Sequence, residues 1–436
     1  MSSSPVSSPS GSNATTPLRF IPFRRQDIVD RLQDELNLSS QGAGDFQQLA
    51  KLLNSLLHFE FHQVLEDLKQ AYAPLDPNAD TLAIKKLNID SGSTTHGSLK
   101  SLLEKVLDKA NYERVTQSDL EQALEESSLF KIRLQVDFDE FDEVLLFCRG
   151  ESQREETLSQ WFGLKKTTLS FTNYDRVVVY LKFRDQLTTD NPYCSAGSTL
   201  LKLFQDVPKA DLEMLFPNTR VRMRFMDKLL IGVPAAVGGG VVVSTKLGGS
   251  LILLASLAGY WLGTHDTPVE LDKTALLALA AGLGALGAHF WKQFNNFKNR
   301  KLRFIQTLTQ NLYFKNLDNN AGVFHRLLDE AEEEEGKEAL LAYAFLLQAD
   351  RSLSLLELDT HIERWFERQL GCRVDFEIDD AIQKLIRFGL VSEQAPQSYR
   401  AVSVEEALRL LDQRWDNLFP YANDQATKHS ASHESL

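Results

Sequence analysis

Apolar positions along the chain change period twice. From Asp45 they recur at helical spacing, with Phe46, Leu49, Leu53, Leu56 and Leu57 on one stripe. This predicts a long amphipathic helix, ended by the breaks at Ala73-Pro74 and Asp76-Pro77. A second helix is predicted from about Ser98 to Ala110, with Leu99, Leu102, Leu103, Val106 and Leu107 along one side. A third, short one covers Thr116 to Leu124, where Ser118 can cap it. From Phe130 the period falls to two. Residues 131–138 alternate apolar and polar, and 143–149, 167–172 and 174–184 are rich in β-branched and aromatic side chains, as antiparallel strands are. The expectation for 18–217 is an α+β region, helical to about 125 and stranded from about 130 to 205.

Leu229 to Trp291 is unlike the rest. It is almost wholly apolar, small or glycine, apart from Lys246 and a short acidic loop with Asp266, Glu270 and Asp272. A bilayer core of about 30 Å needs about 20 helical residues. Residues 229–263 exceed one straight crossing, at about 52 Å for a 1.5 Å rise, but Pro234 and Gly238-Gly239-Gly240 break them. Residues 274–291 form a second charge-free run. Lys and Arg flank the block on both outer sides, which fits an even number of crossings with both flanks on one side. The expectation is a membrane anchor over 218–303, a helical hairpin with arms 229–263 and 274–291; the alternatives are three crossings or a buried hairpin of a soluble protein. In the second arm Ala278 and Gly282, and Gly284 and Ala288, lie four apart, a spacing that lets helices approach closely and offers a route to oligomers. Gly282, Gly284 and Gly287 also spell G-x-G-x-x-G. No strand precedes them, so helix packing is preferred to nucleotide binding.

Beyond the block, 304–336 reads as linking helices with an acidic run, Asp329 to Glu335, taken as a solvated helix face. Residues 337–415 read as three helices (Lys337–Gln348, Leu355–Gln369 and Ile378–Phe388), two short strands and a last helix from Val404 to Trp415. Three helices followed by a β-ribbon resemble a winged helix. Residues 1–17 and 416–436 are Ser-rich or polar and are expected to be disordered tails.

Composition narrows the function classes. The net charge of −13 opposes general nucleic-acid binding. From Glu338 to Asp412 there are 14 acids and 8 Lys or Arg, a net −6, so phosphate repulsion also opposes major-groove docking by the winged-helix-like part. Cys148, Cys194 and Cys372 are far apart and form no C-x-x-C pair. They suit a reducing compartment and offer neither a disulfide framework nor a zinc site. The N-terminus has no basic and apolar signal pattern and no early arginine of a transit peptide.

Three blocks carry a family resemblance. They are R-F-I-P-F-R-R from Arg19, K-L-F-Q-D-V-P-K-A-D-L-E-M-L-F-P from Lys202, and L-Y-F-K-N-L-D-N-N-A-G-V-F-H-R-L-L-D-E-A-E-E-E-E-G-K-E-A-L-L-A-Y from Leu312 to Tyr343. With the hydrophobic block between them they resemble the transmembrane protein 143 family over roughly 18–350. The second block is the most specific, and Phe204, Pro208, Asp211, Glu213 and Pro217 are its motif residues. The resemblance implies a membrane protein and brings no reaction, cofactor or ligand. It implies the cytoplasmic membrane in a bacterium or a mitochondrial membrane in a eukaryote.

Candidate chemistry is sparse. His58 and His62 lie four apart on the first long helix, with Glu66 continuing their face, so the three could hold a metal. The plainer reading is a polar helix edge. No nucleophile elbow, P-loop or paired Cys and His occurs, so no catalytic residue or cofactor is assigned. The expectation is an α+β membrane protein with a winged-helix-like C-terminal part, acting as a scaffold or regulator that binds another protein. The alternatives are a metal-dependent enzyme using His58 and His62, or a tethered DNA-binding regulator.

Overall fold

The computed structural model describes residues 17–78, 98–116, 133–136, 138–160, 165–185, 195–218, 220–222, 260, 262 and 273–419. Most of the third expected helix, the first arm of the expected hairpin and nearly all of both tails lie outside them.

The helical stretches form where their periodicity places them. Helix α1 (Arg25–Glu35) precedes α2 (Ser40–Tyr72), and α3 (Leu99–Lys109) follows. The Ser39 and Ser98 hydroxyls accept from the amides of Gly42 and Ser101 and start α2 and α3. The stripe from Phe46 to Leu57 is buried, as are Leu99, Leu103, Val106 and Leu107.

Next come β1 (Glu113–Arg114), β2 (Arg133–Gln135), β3 (Phe141–Gln160), β4 (Lys165–Phe183), β5 (Thr199–Pro208), β6 (Arg220–Arg222) and, after a long interval, β7 (Asn316–Asn319). Five of these make one antiparallel sheet in the order β1-β3-β4-β5-β7. Val177 to Leu181 are all buried, at 0–3% exposure. Burial on both faces explains why this stretch reads as a continuous apolar run instead of an alternation. β3 and β4 are longer than their apolar cores suggest, because each supplies the other's backbone partners from Glu143 and Lys182 out to Gln160 and Lys165.

Residues 1–125, 138–210 and 316–436 make one compact unit, and 126–137 with 211–315 make another. The second contains the β2–β6 pair and helix α4 (Lys273–Lys315). Its main segment leaves the first unit after β5 and returns as β7, the strand hydrogen-bonded to β5, with Lys202 opposite Asn319 and Leu203 opposite Asp318. Asn320 closes the return in a left-handed conformation (φ 52°). Its amide donates to Leu201 O at 2.6 Å, and its side-chain oxygen accepts from Leu201 N at 3.2 Å.

In the first unit the core is built around α5 (Ala321–Ala349), which contacts α1, α2, α3, β5 and β7. Every residue from Glu334 to Leu346 is buried. The chain then forms β8 (Leu353–Ser354), α6 (Leu355–Trp365), α7 (Ile378–Phe388), β9 (Val391–Ala395), β10 (Ser398–Ala401) and α8 (Val404–Asp416). A capping box of Ser354 and Glu357 starts α6. After one wide turn the chain leaves through Gly371 at φ 62°, a conformation that favours glycine. The strands form a sheet in the order β8-β10-β9, so the two-residue β8, invisible in the sequence pattern, joins the two expected strands.

The membrane-spanning hairpin is corrected. Among the described residues no helix is long and apolar enough to cross a membrane. The expected second arm is the first part of α4, which runs on unbroken through Lys292, Lys298, Arg300, Lys301 and Arg303. Of the eighteen residues from Thr274 to Trp291, nine are Ala or Gly. Such residues hold little apolar surface each, so freedom from charge overstates what the arm would gain in lipid. The fold class that stands is α+β with antiparallel sheets. The transmembrane assignment and the multi-pass membrane location fall with the hairpin. A Cβ placed on Gly284 or Gly287 would meet nothing within 4 Å, and Ala288 is exposed.

Candidate functional site: a buried ionic hub and the cleft beside it

The acidic run of α5 is not a solvated face. Only Asp329 is exposed between Asp329 and Glu338, and the carboxylates have assigned places.

Glu334 and Lys337 hold the N-terminal segment. Lys337 Nζ donates to Glu334 Oε1 at 2.7 Å, Ile21 O at 2.7 Å and Phe23 O at 3.2 Å, which uses all three ammonium protons. Glu334 Oε2 accepts from Ile21 N at 2.9 Å. The same segment is pinned further out, where Leu18 N donates to Arg373 O and Leu18 O accepts from Asp375 N.

Glu335 and Glu338 face α3 and α7. Lys109 Nζ lies 3.1 Å from Glu335 Oε1. Lys384, itself buried, contacts the Glu335 carboxylate and stands 3.9 Å from Glu338 Oε2. Asn111 Nδ2 donates to Glu338 Oε1 at 3.2 Å. Burial, reinforced by Glu335 and Glu334 and opposed by Lys384, pushes the Glu338 carboxyl up to about 8. The burial thus favours the protonated carboxyl over the carboxylate at neutral pH.

Glu330 faces the sheet. The Tyr112 hydroxyl donates to its Oε2 at 2.7 Å, and Arg149 Nη2 is 3.1 Å from the same oxygen. The Arg149 guanidinium lies over the rings of Phe20 and Tyr112, 5.0 Å from each centroid. Burial, with the Glu330 charge beside it, raises the Tyr112 phenol well above its ordinary value. These pairings join α5 to the N-terminal segment, α3, the sheet and α7.

A cleft of about 500 Å³ opens next to Glu335. Its walls are Leu57, Phe61 and Val64 of α2, Leu102 and Val106 of α3, and Leu418. Lys105, Lys109 and Arg387 bring cations to it, and Glu60 and Glu335 bring carboxylates.

The metal candidates do not assemble a cage. His58 Nδ1 lies 2.7 Å from Glu332 Oε2, His62 is exposed, and Lys69 donates to Glu66 at 2.9 Å. The Lys69 ammonium holds the Glu66 carboxyl below its ordinary value. Among the described residues no three His, Cys, Asp or Glu side chains are grouped to hold a metal.

The motif residues are structural in placement. Phe204 is buried in β5 opposite Val177, and Pro208 ends that strand opposite Asn173. Asp211 is buried in the 3-10 helix Lys209–Leu215, Glu213 is half-buried there, and Pro217 is exposed beyond it. No sequence signal marks the hub. Its acids become informative only through Lys109, Lys337 and Lys384, which come from three different helices.

In α7, Ile378, Ala381, Ile382, Lys384, Leu385 and Phe388 are buried, leaving Asp379, Asp380, Gln383, Ile386 and Arg387 outward. Arg387 Nη2 is bound to Glu60 Oε2 at 2.7 Å. Asp359 of α6 is pushed up to about 6 by partial burial and by Glu363, Asp375 and Asp379 nearby. The surface around the start of α7 is thus acidic.

Comparison with known proteins gives one family match. Residues 174–322 match a family described as proteins of unknown function, DUF3754. The match runs from mid-β4 through β5 and β7 to the start of α5, and includes everything between β5 and β7. No solved structure matches the chain.

Proposed function

We propose that this protein works by binding another protein, in a scaffold or regulatory role, and that the outer face of α7 is the docking element. The observation that carries this reading is the allocation of charge on α7. Both of its cations are engaged, Lys384 with buried carboxylates and Arg387 with Glu60, while Asp379 and Asp380 stay in solvent at the start of the helix and Ile386 is exposed two turns later. Solvent-exposed acids and an exposed apolar residue on one helix suit a basic, partly apolar protein surface. The order of three helices and a three-stranded sheet supports reading the C-terminal part as a winged helix, a fold that serves proteins as well as DNA. A groove-reading helix needs free cations at the phosphates, and α7 has none to offer. Metal-dependent catalysis has less support, because Glu332 already engages the His58 ring.

The test is cross-linking capture with the full chain and with an Asp379→Lys, Asp380→Lys variant. The wild-type chain is expected to retain a specific protein that the variant loses, with both melting at the same temperature. Equal capture by both would remove α7 from the reading. A salt-sensitive gel shift with duplex DNA by the wild-type chain would overturn the reading in favour of a DNA-binding regulator.

A further inference from the structure

The cleft beside Glu335 combines two properties, an apolar lining and an excess of cations over carboxylates. Its walls are apolar side chains from α2, α3 and the segment after α8, and its volume of about 500 Å³ lies within the usual ~300–1,000 Å³ of small-molecule sites. Its charge is unbalanced by one. Arg387 is paired with Glu60 at 2.7 Å and Lys109 with Glu335 at 3.1 Å. The third cation, Lys105, is exposed and makes no ion pair or hydrogen bond among the described residues. Glu335 is shared by Lys109 and Lys384, and Glu60 is taken by Arg387, so Lys105 stands at the apolar cavity without an ion-pair partner among the described residues.

We infer that this cleft binds a single-chain amphiphile carrying one carboxylate, its hydrocarbon body against Leu57, Val64, Leu102 and Val106 and its head on Lys105. The hydrocarbon gains from leaving water, as any apolar surface does. The carboxylate gains a charge-assisted hydrogen bond without breaking either existing pair. A cationic or uncharged head of the same length lacks that contact, and a second negative charge would compete with Glu60 and Glu335. Glu335 makes the consequence more than local. It lines the cleft and also meets Lys384 of α7, so an occupant touches the group that joins α3, α5 and α7.

The test is calorimetric titration of the purified full chain with dodecanoate below its micellar concentration, beside dodecanol and dodecylamine. Dodecanoate is expected to saturate at one per chain, at least tenfold tighter than either analogue. Lys105→Glu is expected to weaken it at least tenfold, and Val64→Trp, which fills the cleft from α2, to abolish it. Lys105 is exposed, so its variant keeps the fold and decides the matter even if the tryptophan variant does not fold. Absence of dodecanoate binding, equal binding of dodecanol, or an unchanged affinity in Lys105→Glu would each overturn the inference.

Discussion

Lys337 and Glu334 form an ion pair inside the protein, Nζ to Oε1 at 2.7 Å, with side chains 3% and 5% exposed. They sit one turn apart on α5, yet the pair does more than staple its own helix, because Glu334 also accepts from the Ile21 amide and Lys337 donates to the Ile21 and Phe23 carbonyls. Removing one partner strands the other charge in the core. Lys337→Met is therefore expected to cost about 3–5 kcal/mol, measured by urea unfolding. The double variant Lys337→Met, Glu334→Leu should be less damaged than the sum of the single changes, because no orphan charge remains. Additive effects would mean that the two residues act independently.

Glu338 makes stability depend on pH. In the unfolded chain its carboxyl ionises near 4.5, and in the fold near 8. A group whose pKa is raised on folding contributes stability that is complete below the unfolded value and is lost as pH rises through the folded one. Between pH 5 and 8 the protein is expected to lose on the order of a few kcal/mol from this group. Glu338→Gln, which keeps the shape and cannot ionise, should flatten that dependence and melt higher than wild type at pH 8. Parallel melting curves for the two proteins across that range would show that Glu338 is not the titrating group.

Asn320 is the turn residue between β7 and α5. Its positive φ and its two hydrogen bonds to Leu201 give two separable costs. Asn320→Gly keeps the backbone conformation and loses only the side-chain acceptor, at about 1 kcal/mol. Asn320→Ala loses both and is expected to cost about 2–3 kcal/mol. The order wild type, Gly, Ala in chemical denaturation checks this, and an alanine variant as stable as the glycine variant would contradict it.

Gly150 interrupts β3 at φ 74°, directly against Asp175 of β4, so an added Cβ collides with that carboxylate. Gly150→Ala is expected to destabilise by about 1–3 kcal/mol. Combining it with Asp175→Gly relieves the collision but not the backbone strain, so the double variant should recover only part of the loss.

His58 is exposed and paired with Glu332 at 2.7 Å. With His58 in solvent, although Glu332 is largely covered, the pair is expected to be worth about 1 kcal/mol. The His58→Ala, His62→Ala variant is expected to change stability by no more than that and to leave the metal content of the purified protein unchanged. A stoichiometric metal lost in the variant would instead restore the metal-dependent reading.

The three blocks that carry the family resemblance are far apart in sequence but meet in the fold. Lys202 to Phe204 pair with Asn316 to Asn319, and the Ile21 to Phe23 segment is held by Glu334 and Lys337 of α5. Sequence spacing could not show this, because strand pairing and buried ion pairs are non-local. The hairpin expectation shows the opposite weakness. Lack of charge was legible along Thr274–Trp291, whereas the small apolar surface of its alanines and glycines, and the unbroken run of α4 into a basic segment, were not weighed by the same pattern.

Helices and strands were determined by local chemistry. The stripe from Phe46 to Leu57, the β-branched run around Val178 and the amphipathic α7 each fix their own conformation, because periodicity needs only neighbouring residues. The tertiary structure alone decided the meaning of the charges. Asp329–Glu335 and Lys337 have the composition of a solvated helix face. Glu334, Glu335 and Lys337 are nonetheless buried and Glu330 half-buried, because Lys109, Lys384, Tyr112, Arg149 and the Ile21–Phe23 backbone arrive from elsewhere to satisfy them. The cleft has the same origin: α2, α3 and α7 are each an ordinary helix, and only their packing puts Lys105, which makes no ion pair among the described residues, at the edge of an apolar cavity.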